Sequence, residues 1–577
     1  MKSLFVYLKN YIKECVMGPL FKLLEASFEL LVPLVVADII DKGIVGADKS
    51  YIISRVFILI LLAVVGFTCS VTAQFFAAKA ATGFATELRH SLFAHIQKLS
   101  FTEIDEMGTS KLINRMTTDV NSVQGCVNMV LRLFLRSPFI VLGAMIMAFT
   151  IDVKCALIFC VTIPLLSVVV FGVMLASIPL YKKVQSGLDS VLKITRENLT
   201  GTRVIRAFNK EQEEKKIFAE SNEALVKTQT FAGKISALMN PITFVIVNVA
   251  MVVLIYSGAV KVEIGSLKQG QVVALVNYMS QILVELVKLA SLIIQISKAM
   301  ASANRIKEVL EIEGSMEYPE VSAKEPDTEY AVEFENVSLT YKNGKEPSIS
   351  GVDIRVKKGE TIGIIGGTGS GKTSLVHLIP RFYDATEGSV KINGVDVKDY
   401  TKEDLRNRIA IVMQKAVLFN GTIRENMKWG RSDATDEEII TALRDAQALD
   451  FVEEKEGKLD YKILQGGRNL SGGQRQRLTI ARALVKKPDI LILDDSASAL
   501  DYATDARLRK AIADMEGTIT TFIVSQRTAS LASADRIIVL EDGEVEGIGT
   551  HDELLKNCEV YREIYGTDGN KAAGGNR

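Results

Sequence analysis

Apolar residues crowd the first half of this chain. Six stretches, roughly 16–38, 53–78, 128–150, 155–180, 240–262 and 270–298, each reach about 20 residues, the length that spans a bilayer core. The pattern predicts six membrane helices. Three connections between them are short, around 41–52, 151–154 and 263–268, and two are long, around 79–127 and 181–239. The long ones keep a helical pattern, and Lys79, Arg132, Arg136, Lys182 and Lys183 cluster at or just beyond their membrane ends, which places both of them and both termini on the cytoplasmic side. The membrane helices therefore continue as rods, and each rod pair must turn. Gly108-Thr109-Ser110 and Asn209-Lys210 are the turn signals, and the segments around them, Glu103–Val120 and Arg203–Lys216, are candidates for short helices touching the second half of the chain. At the start, Phe5, Leu8, Tyr11 and Ile12 fall near one helical face with Lys2, Lys9 and Lys13 elsewhere, a pattern suited to a short helix on the membrane surface. No short apolar core followed by a small-residue cleavage site reads as a signal peptide.

The period changes after residue 300. Gly314–Tyr330 is polar, contains Pro319 and Pro326 and reads as a linker. Ala331–Glu360 alternates apolar and polar positions as short antiparallel strands do, and apolar runs such as Ile362–Ile365, Ile409–Val412, Ile490–Leu493 and Phe522–Val524 then read as buried strands between helical segments. The fold class is a multidomain membrane protein: a six-helix all-α domain over 1–313, a linker over 314–330, an α/β P-loop domain over 331–565 and a disordered polar tail over 566–577.

The strand Ile362–Ile365 leads into Gly366, Gly367, Thr368, Gly369, Ser370, Gly371, Lys372, Thr373 and Ser374, the P-loop spacing of two glycines five residues apart followed by lysine and a hydroxyl. Backbone N–H groups of such a turn surround phosphate oxygens, Lys372 reaches the β and γ phosphates, and the Thr373 hydroxyl sits on Mg²⁺. The strand Ile490–Leu493 delivers Asp494 as a second Mg²⁺ ligand, and IAIVMQ ends in Gln414, whose amide can meet Mg²⁺ or an attacking water. Tyr341 follows a strand and is placed to stack on an adenine ring. Ser471, Gly472, Gly473 and Gln474 open a strong helix and form a second anion-binding surface. Two such surfaces in one domain make sense if each serves a different nucleotide.

Together these motifs resemble those of exporter-type ATP-binding cassette half-transporters, over residues 1–565. The resemblance makes Tyr341 the A-loop, Gly366–Thr373 the Walker A motif, Gln414 the Q-loop, Leu470–Gln474 the signature, Ile490–Asp494 the Walker B strand and Ser498–Asp501 the D-loop. It implies ATP and Mg²⁺ as cofactors, a domain-exchanged dimer of six-helix bundles with coupling helices near Thr109 and Asn209, and a place in the bacterial plasma membrane. Three positions depart from the family pattern. Asp495 stands where the catalytic Glu is expected, Gln526 where the switch His is expected, and Gln465-Gly466-Gly467 replaces a more acidic X-loop. A carboxylate one methylene shorter is displaced by about 1 Å, which costs about 10²-fold in rate, and Gln supplies no titrating imidazole. Asp495 and Gln526 both touch the nucleotide held by this chain's own P-loop, while Ser471 and its neighbours serve the opposite one. The implied assembly is a heterodimeric multidrug-type exporter of drugs, lipids or other amphipathic molecules, whose partner supplies the Glu and the His. The alternatives are a peptide exporter subunit, a chiefly regulatory ATP-binding subunit and a slow homodimer.

Composition narrows the choice further. The 68 basic and 68 acidic residues cancel, which removes the electrostatic case for nucleic acid and with it a soluble cassette acting on DNA or ribosomes. The six cysteines form no CxxC pair, and four histidines make no cluster. Glu25, Glu29, Glu285 and Lys288 fall inside apolar stretches, where charge is costly, and are expected to face the bundle interior or water.

Overall fold

The computed structural model describes residues 2–342, 344–496, 499–515 and 519–574, with side chains over those between 4 and 566. Two compact units form: Met1–Gln97 with Gly108–Ile312, and Lys98–Met107 with Glu313–Arg577.

The first unit is helical. A 3₁₀ segment, Lys2–Tyr11, leads into the helix Ile12–Asp38. Lys49–Lys98, Thr109–Ile151, Val153–Thr200, Glu211–Glu263 and Gln269–Leu310 are each long and apolar enough to cross a membrane. The 50 residues of Lys49–Lys98 span about 75 Å at 1.5 Å per residue, well beyond a hydrocarbon core of about 30 Å. Ile12–Asp38 covers the first predicted span, yet Glu14, Lys22, Glu25 and Glu29 make it too polar to qualify by composition. Its charges are met inside the bundle. Lys22 Nζ lies 2.5 Å from Glu25, and Arg136 donates to Glu285 at 2.6 Å and to Glu29 at 2.7 Å. Arg136, which the sequence suggested as a cytoplasmic loop charge, is instead buried at the start of the helix Arg136–Ile151. Small residues Ala26, Ala144, Ala148 and Ala274 let helices approach around Leu30, Ile140, Phe159 and Tyr278, and the buried Tyr278 hydroxyl donates to the Leu30 carbonyl at 2.6 Å.

In the second unit, β1 (Tyr330–Leu339), β2 (Ile349–Lys357), β4 (Glu387–Ile392) and β5 (Val395–Asp396) make an antiparallel sheet in the order β2-β1-β4-β5. A six-stranded sheet is built from β3 (Thr361–Gly366), β6 (Ile409–Val412), β9 (Ile490–Asp494), β10 (Thr520–Val524), β11 (Arg536–Glu541) and β12 (Glu544–Gly549), in the order β12-β11-β3-β10-β9-β6. Its pairs are parallel except β11 with β12. Gly421–Thr422 (β7) and Lys462–Ile463 (β8) form a small separate pair. β9 and β10 are buried along their whole length, as a parallel sheet covered on both faces requires.

The linker is strapped down rather than loose. Ala323 N donates to Asp399 O at 3.0 Å, Arg381 donates to Glu317 O at 2.9 Å while lying over the Tyr318 ring, and Arg408 pairs with Glu325 at 2.6 Å. The short helix Phe101–Met107 belongs to this unit too. Phe101 stacks on Phe382 at 4.5 Å, Glu106 accepts from Lys342 at 3.0 Å, and Asp105 accepts from the Tyr383 hydroxyl at 2.5 Å. The contact helix thus precedes the turn signal, and Gly108, at φ +76°, breaks the chain after it. Likewise the helix Thr202–Ala207 ends before Asn209, at φ +54°. The last helix, Glu559–Gly574, extends into the polar segment whose composition suggested disorder.

Phe522, 1% exposed at the middle of β10, is expected to destabilise the protein by about 3–5 kcal/mol on Phe522→Ala. A thermal melt in detergent should show it, with Val321→Ala, in the exposed linker, shifting the midpoint little.

Candidate functional site

The site grows from the C-terminal ends of four neighbouring strands, the crevice where open α/β sheets bind ligands. β3 ends in the phosphate loop, β9 in Asp494, β6 just before Gln414 and β10 just before Ser525 and Gln526. A cavity of about 230 Å³ is lined by Thr368 through Ser374, Gln414, Asp494, Asp495 and Gln526, joined by Ser348, Val524 and Ser525. Ser348 and Ser525 were not singled out by sequence, because a lone serine beside a strand carries no pattern.

The loop is glycine-rich for steric reasons. A Cβ on Gly366 would meet Leu540 O at 2.1 Å, and Gly371 sits at φ +91° with Ser348 O at 2.5 Å from its would-be Cβ. The helix Lys372–Leu378 starts immediately afterwards. Lys372 folds back on the loop, donating to Gly366 O at 2.9 Å and Gly367 O at 2.5 Å, and burial lowers its pKa. A phosphate would replace those two carbonyls as its partner.

Thr373 Oγ1 donates to the Asp494 carboxylate, 3.1 and 3.2 Å from its two oxygens. Asp494 is 1% exposed, and burial raises its pKa. A buried carboxylate beside a hydroxyl, at the rim of a phosphate loop, is the oxygen-only donor set that suits Mg²⁺, so these residues fit the cation that the P-loop spacing implies. Among the described residues no group of three His, Cys, Asp or Glu side chains forms a metal site of its own. Gln414 Nε2 donates to Asp495 Oδ2 at 3.3 Å, tying the third proposed Mg²⁺ contact to the departing carboxylate. Asp495 is itself left-handed, at φ +45°, and its N–H donates to Val524 O at 3.0 Å. Gln526 is exposed on the cavity wall.

Several expected residues fall outside this cavity's lining, Gly366 and Gly367 at the start of the loop among them. Tyr341 stands beside it, its hydroxyl 3.0 Å from Ser374 Oγ and its ring edge-on to Tyr383 at 5.0 Å. Ser471 caps the helix Gly472–Val485: its Oγ accepts from Gln474 N at 3.2 Å, and Gln474 Oε1 accepts from Ser471 N at 3.1 Å. Ser471 and Gly472 are exposed, and a Cβ on Gly472 would meet nothing within 4 Å, so this fold does not itself require glycine there. Of the D-loop, Ser498 lies outside the described residues, while Asp501 caps the helix Tyr502–Ala513 by accepting from Thr504 N at 2.9 Å.

A nucleotide-binding α/β cassette and a helical membrane unit in one chain define a class of membrane ATPase, and the comparisons supply the family. Residues 15–286 match the profile of the ABC transporter transmembrane region and residues 349–498 the profile described as ABC transporter. Over 566 residues the chain is 36% identical to the uncharacterized ABC transporter ATP-binding protein YfiB of Bacillus subtilis, covering 98% of each protein. It is 34% identical over 536 residues to an ATP-dependent lipid A-core flippase of Desulfotalea psychrophila, covering 92% of each. Its fold is similar to that of a bacterial Atm1-family ABC exporter with ATP bound, with a TM-score of 0.78 at 23% identity, over 96% of this chain and 98% of that one. This chain belongs to the ABC transporter family. It is a half-unit, one membrane region and one ATP-hydrolysing cassette, and a multi-pass protein of the inner membrane.

Loss of the Lys372 ammonium removes a charge-assisted contact, so Lys372→Ala should weaken binding of a fluorescent ATP analogue by about 10–150-fold. Gly472→Ala should leave the melting temperature unchanged, while Gly371→Ala should lower both it and that binding.

His377, on the loop helix, is buried against Phe382 and Tyr383, its Nε2 making no hydrogen bond and lying 3.9 Å from Asp494 Oδ2, and burial pushes its pKa down to about 4 from 6.5. Between those values the unfolded chain binds a proton that the folded cassette refuses, so this group's contribution to stability falls as pH falls through the window. Melts between pH 7 and 4 should therefore be flatter for His377→Phe than for the wild type.

Proposed function

We propose that this chain is one half of an ATP-driven exporter of amphipathic or lipid-like molecules, in which two cassettes share two nucleotides. The observation that carries the reading is the separation of the two anion-binding surfaces. Lys372 and Asp494 line one cavity, whereas Ser471 and Gly472 stand exposed outside it, with glycine at a position where this chain leaves open space. Glycine there suits close approach by a nucleotide held in another cassette. All six apolar segments, Ile12–Asp38 included, cross the membrane in this reading, because the internal ion pairs offset the first helix's charges. Exposed apolar groups on each unit also suit a second half: Phe419 stacks on Trp429 at 4.2 Å in the cassette, and Val204 and Phe208 lie just before the turn at Asn209. The lipid A-core flippase among the relatives favours an amphipathic cargo.

Asp495 and Gln526 make the site on this chain's own P-loop the slower one. Asp495 also accepts a hydrogen bond from Gln414, the residue placed to sense the γ phosphate. The fast site would then pair this chain's Ser471 with a partner's P-loop, catalytic Glu and switch His. The second reading, a slow or chiefly regulatory dimer of two copies, draws on the same two departures.

ATP hydrolysis and movement of a fluorescent amphipath should be measured in vesicles, with the chain alone and with a candidate partner half. In the pair, replacing the partner's Glu by Gln should cost about 10²-fold or more, and Asp495→Ala less than about tenfold. Full transport by the chain alone would sink the heterodimer, and a rise of about 10²-fold on Asp495→Glu with Gln526→His in that preparation would establish the slow homodimer.

A further inference from the structure

Inside the membrane unit a cavity of about 470 Å³ opens between the helices Ile12–Asp38 and Gln269–Leu310, with Glu29, Val32, Val36, Gln281, Val284 and Lys288 among its walls. That volume suits a small-molecule or head-group site. Behind it runs a row of alternating charge. Glu29 accepts from Arg136 Nη2 at 2.7 Å, Arg136 Nη1 donates to Glu285 Oε1 at 2.6 Å, and Lys288 Nζ donates to the same Glu285 oxygen at 2.8 Å. Ser137 Oγ donates to the second Glu285 oxygen at 2.8 Å.

A row that served only to lock helices together would be buried throughout. Its middle is: the side chains of Arg136 and Glu285 are 7% and 3% exposed. Its ends are not. Glu29 keeps 39% of its side chain exposed and Lys288 keeps 42%, both on the cavity wall and within helices that pack in an apolar medium. Gln281 Oε1, on the same wall, is buried with no hydrogen-bond partner. An unsatisfied buried acceptor is costly, and partly exposed opposite charges at the two ends of one row call for a ligand that carries both signs. The row sums to zero, so a ligand of net charge would leave the site unbalanced.

We propose that this cavity binds the zwitterionic head group of an amphipathic molecule. Glu29 and the Gln281 carbonyl oxygen take its ammonium, Lys288 takes its phosphate or carboxylate, and its hydrocarbon lies along Val32, Val36 and Val284. The proposal names a cargo class for the export reading above and rests on that reading for transport, though not for binding.

The test uses the full chain in a neutral maltoside detergent and a fluorescent acyl tail on three head groups: phosphatidylethanolamine, phosphatidylglycerol and a primary ammonium. The wild type should bind the first at least tenfold more tightly than the other two. Glu29→Gln should weaken the two ammonium-bearing probes by about 10–150-fold and spare the anionic one, and Lys288→Gln should weaken the two phosphate-bearing probes by a similar factor and spare the cationic one. Gln281→Leu leaves every ion pair in place and should repeat the Glu29→Gln pattern at smaller amplitude, which keeps the test open if a charge variant fails to fold. Equal binding of all three probes by the wild type, or equal loss across probes in the variants, would overturn the site. So would displacement by glycerophosphoethanolamine at the affinity of the tailed probe, since that result makes the ligand a small solute. If the binding pattern appears but ATP drives no probe across proteoliposomes, the export reading fails and the site stands. If ATP moves an amphipath without the pattern, the site alone fails.

Discussion

Asp494 carries a carboxylate into a region where the neighbouring Ile492 and Leu493 exclude water, and Arg136 carries a guanidinium into a helical bundle built for lipid. In both places a charge removed from water must find an opposite charge or a hydrogen-bond donor, or its cost falls on the stability of the whole domain. The cassette meets the requirement with the Thr373 hydroxyl, a P-loop lysine and a place for a divalent cation. The bundle meets it with two glutamates, a serine and a lysine. Chemistry and packing are thus set by the same demand in the two units.

The strands place the groups that do the work. Parallel strands end together on one side of a sheet, so four segments scattered over residues 366–526 deliver the loop, Asp494, Gln414 and Gln526 to one crevice. Glycine does the rest at two contacts, where Leu540 O and Ser348 O come within the reach of any Cβ. The helix Gly472–Val485 starts elsewhere and is held by its own capping box, with Ser471 exposed outside this cavity. The short helix Phe101–Met107 shows the same economy: one aromatic stack and two polar contacts make it part of the cassette unit, although membrane rods flank it in sequence.

Much of this was legible in the chain itself. The P-loop and the strand before Asp494 are local patterns whose meaning depends on adjacent residues, and five of the six expected membrane helices announce themselves by length and apolarity. The departures at Asp495 and Gln526 were also visible, since each follows a recognisable strand. Ser348 and Ser525 were not, because they reach the cavity through the sheet and not through any spacing. The ion pairing of Arg136 was not legible either, because a sequence count of basic residues near helix ends is blind to a partner 149 positions away, which is the separation of Arg136 from Glu285.

Sequence alone therefore determined the two-part architecture, the nucleotide chemistry and the departures at Asp495 and Gln526, since all of these are encoded by neighbours along the chain. Tertiary structure decided which charges meet. It buried Arg136 between Glu29 and Glu285, left Lys288 half-exposed at a cavity, set Gln414 on Asp495 and kept Ser471 out of the site beside it. The reason is physical: the energy of a charge depends on what surrounds it in space, and that environment is assembled from segments the chain keeps far apart.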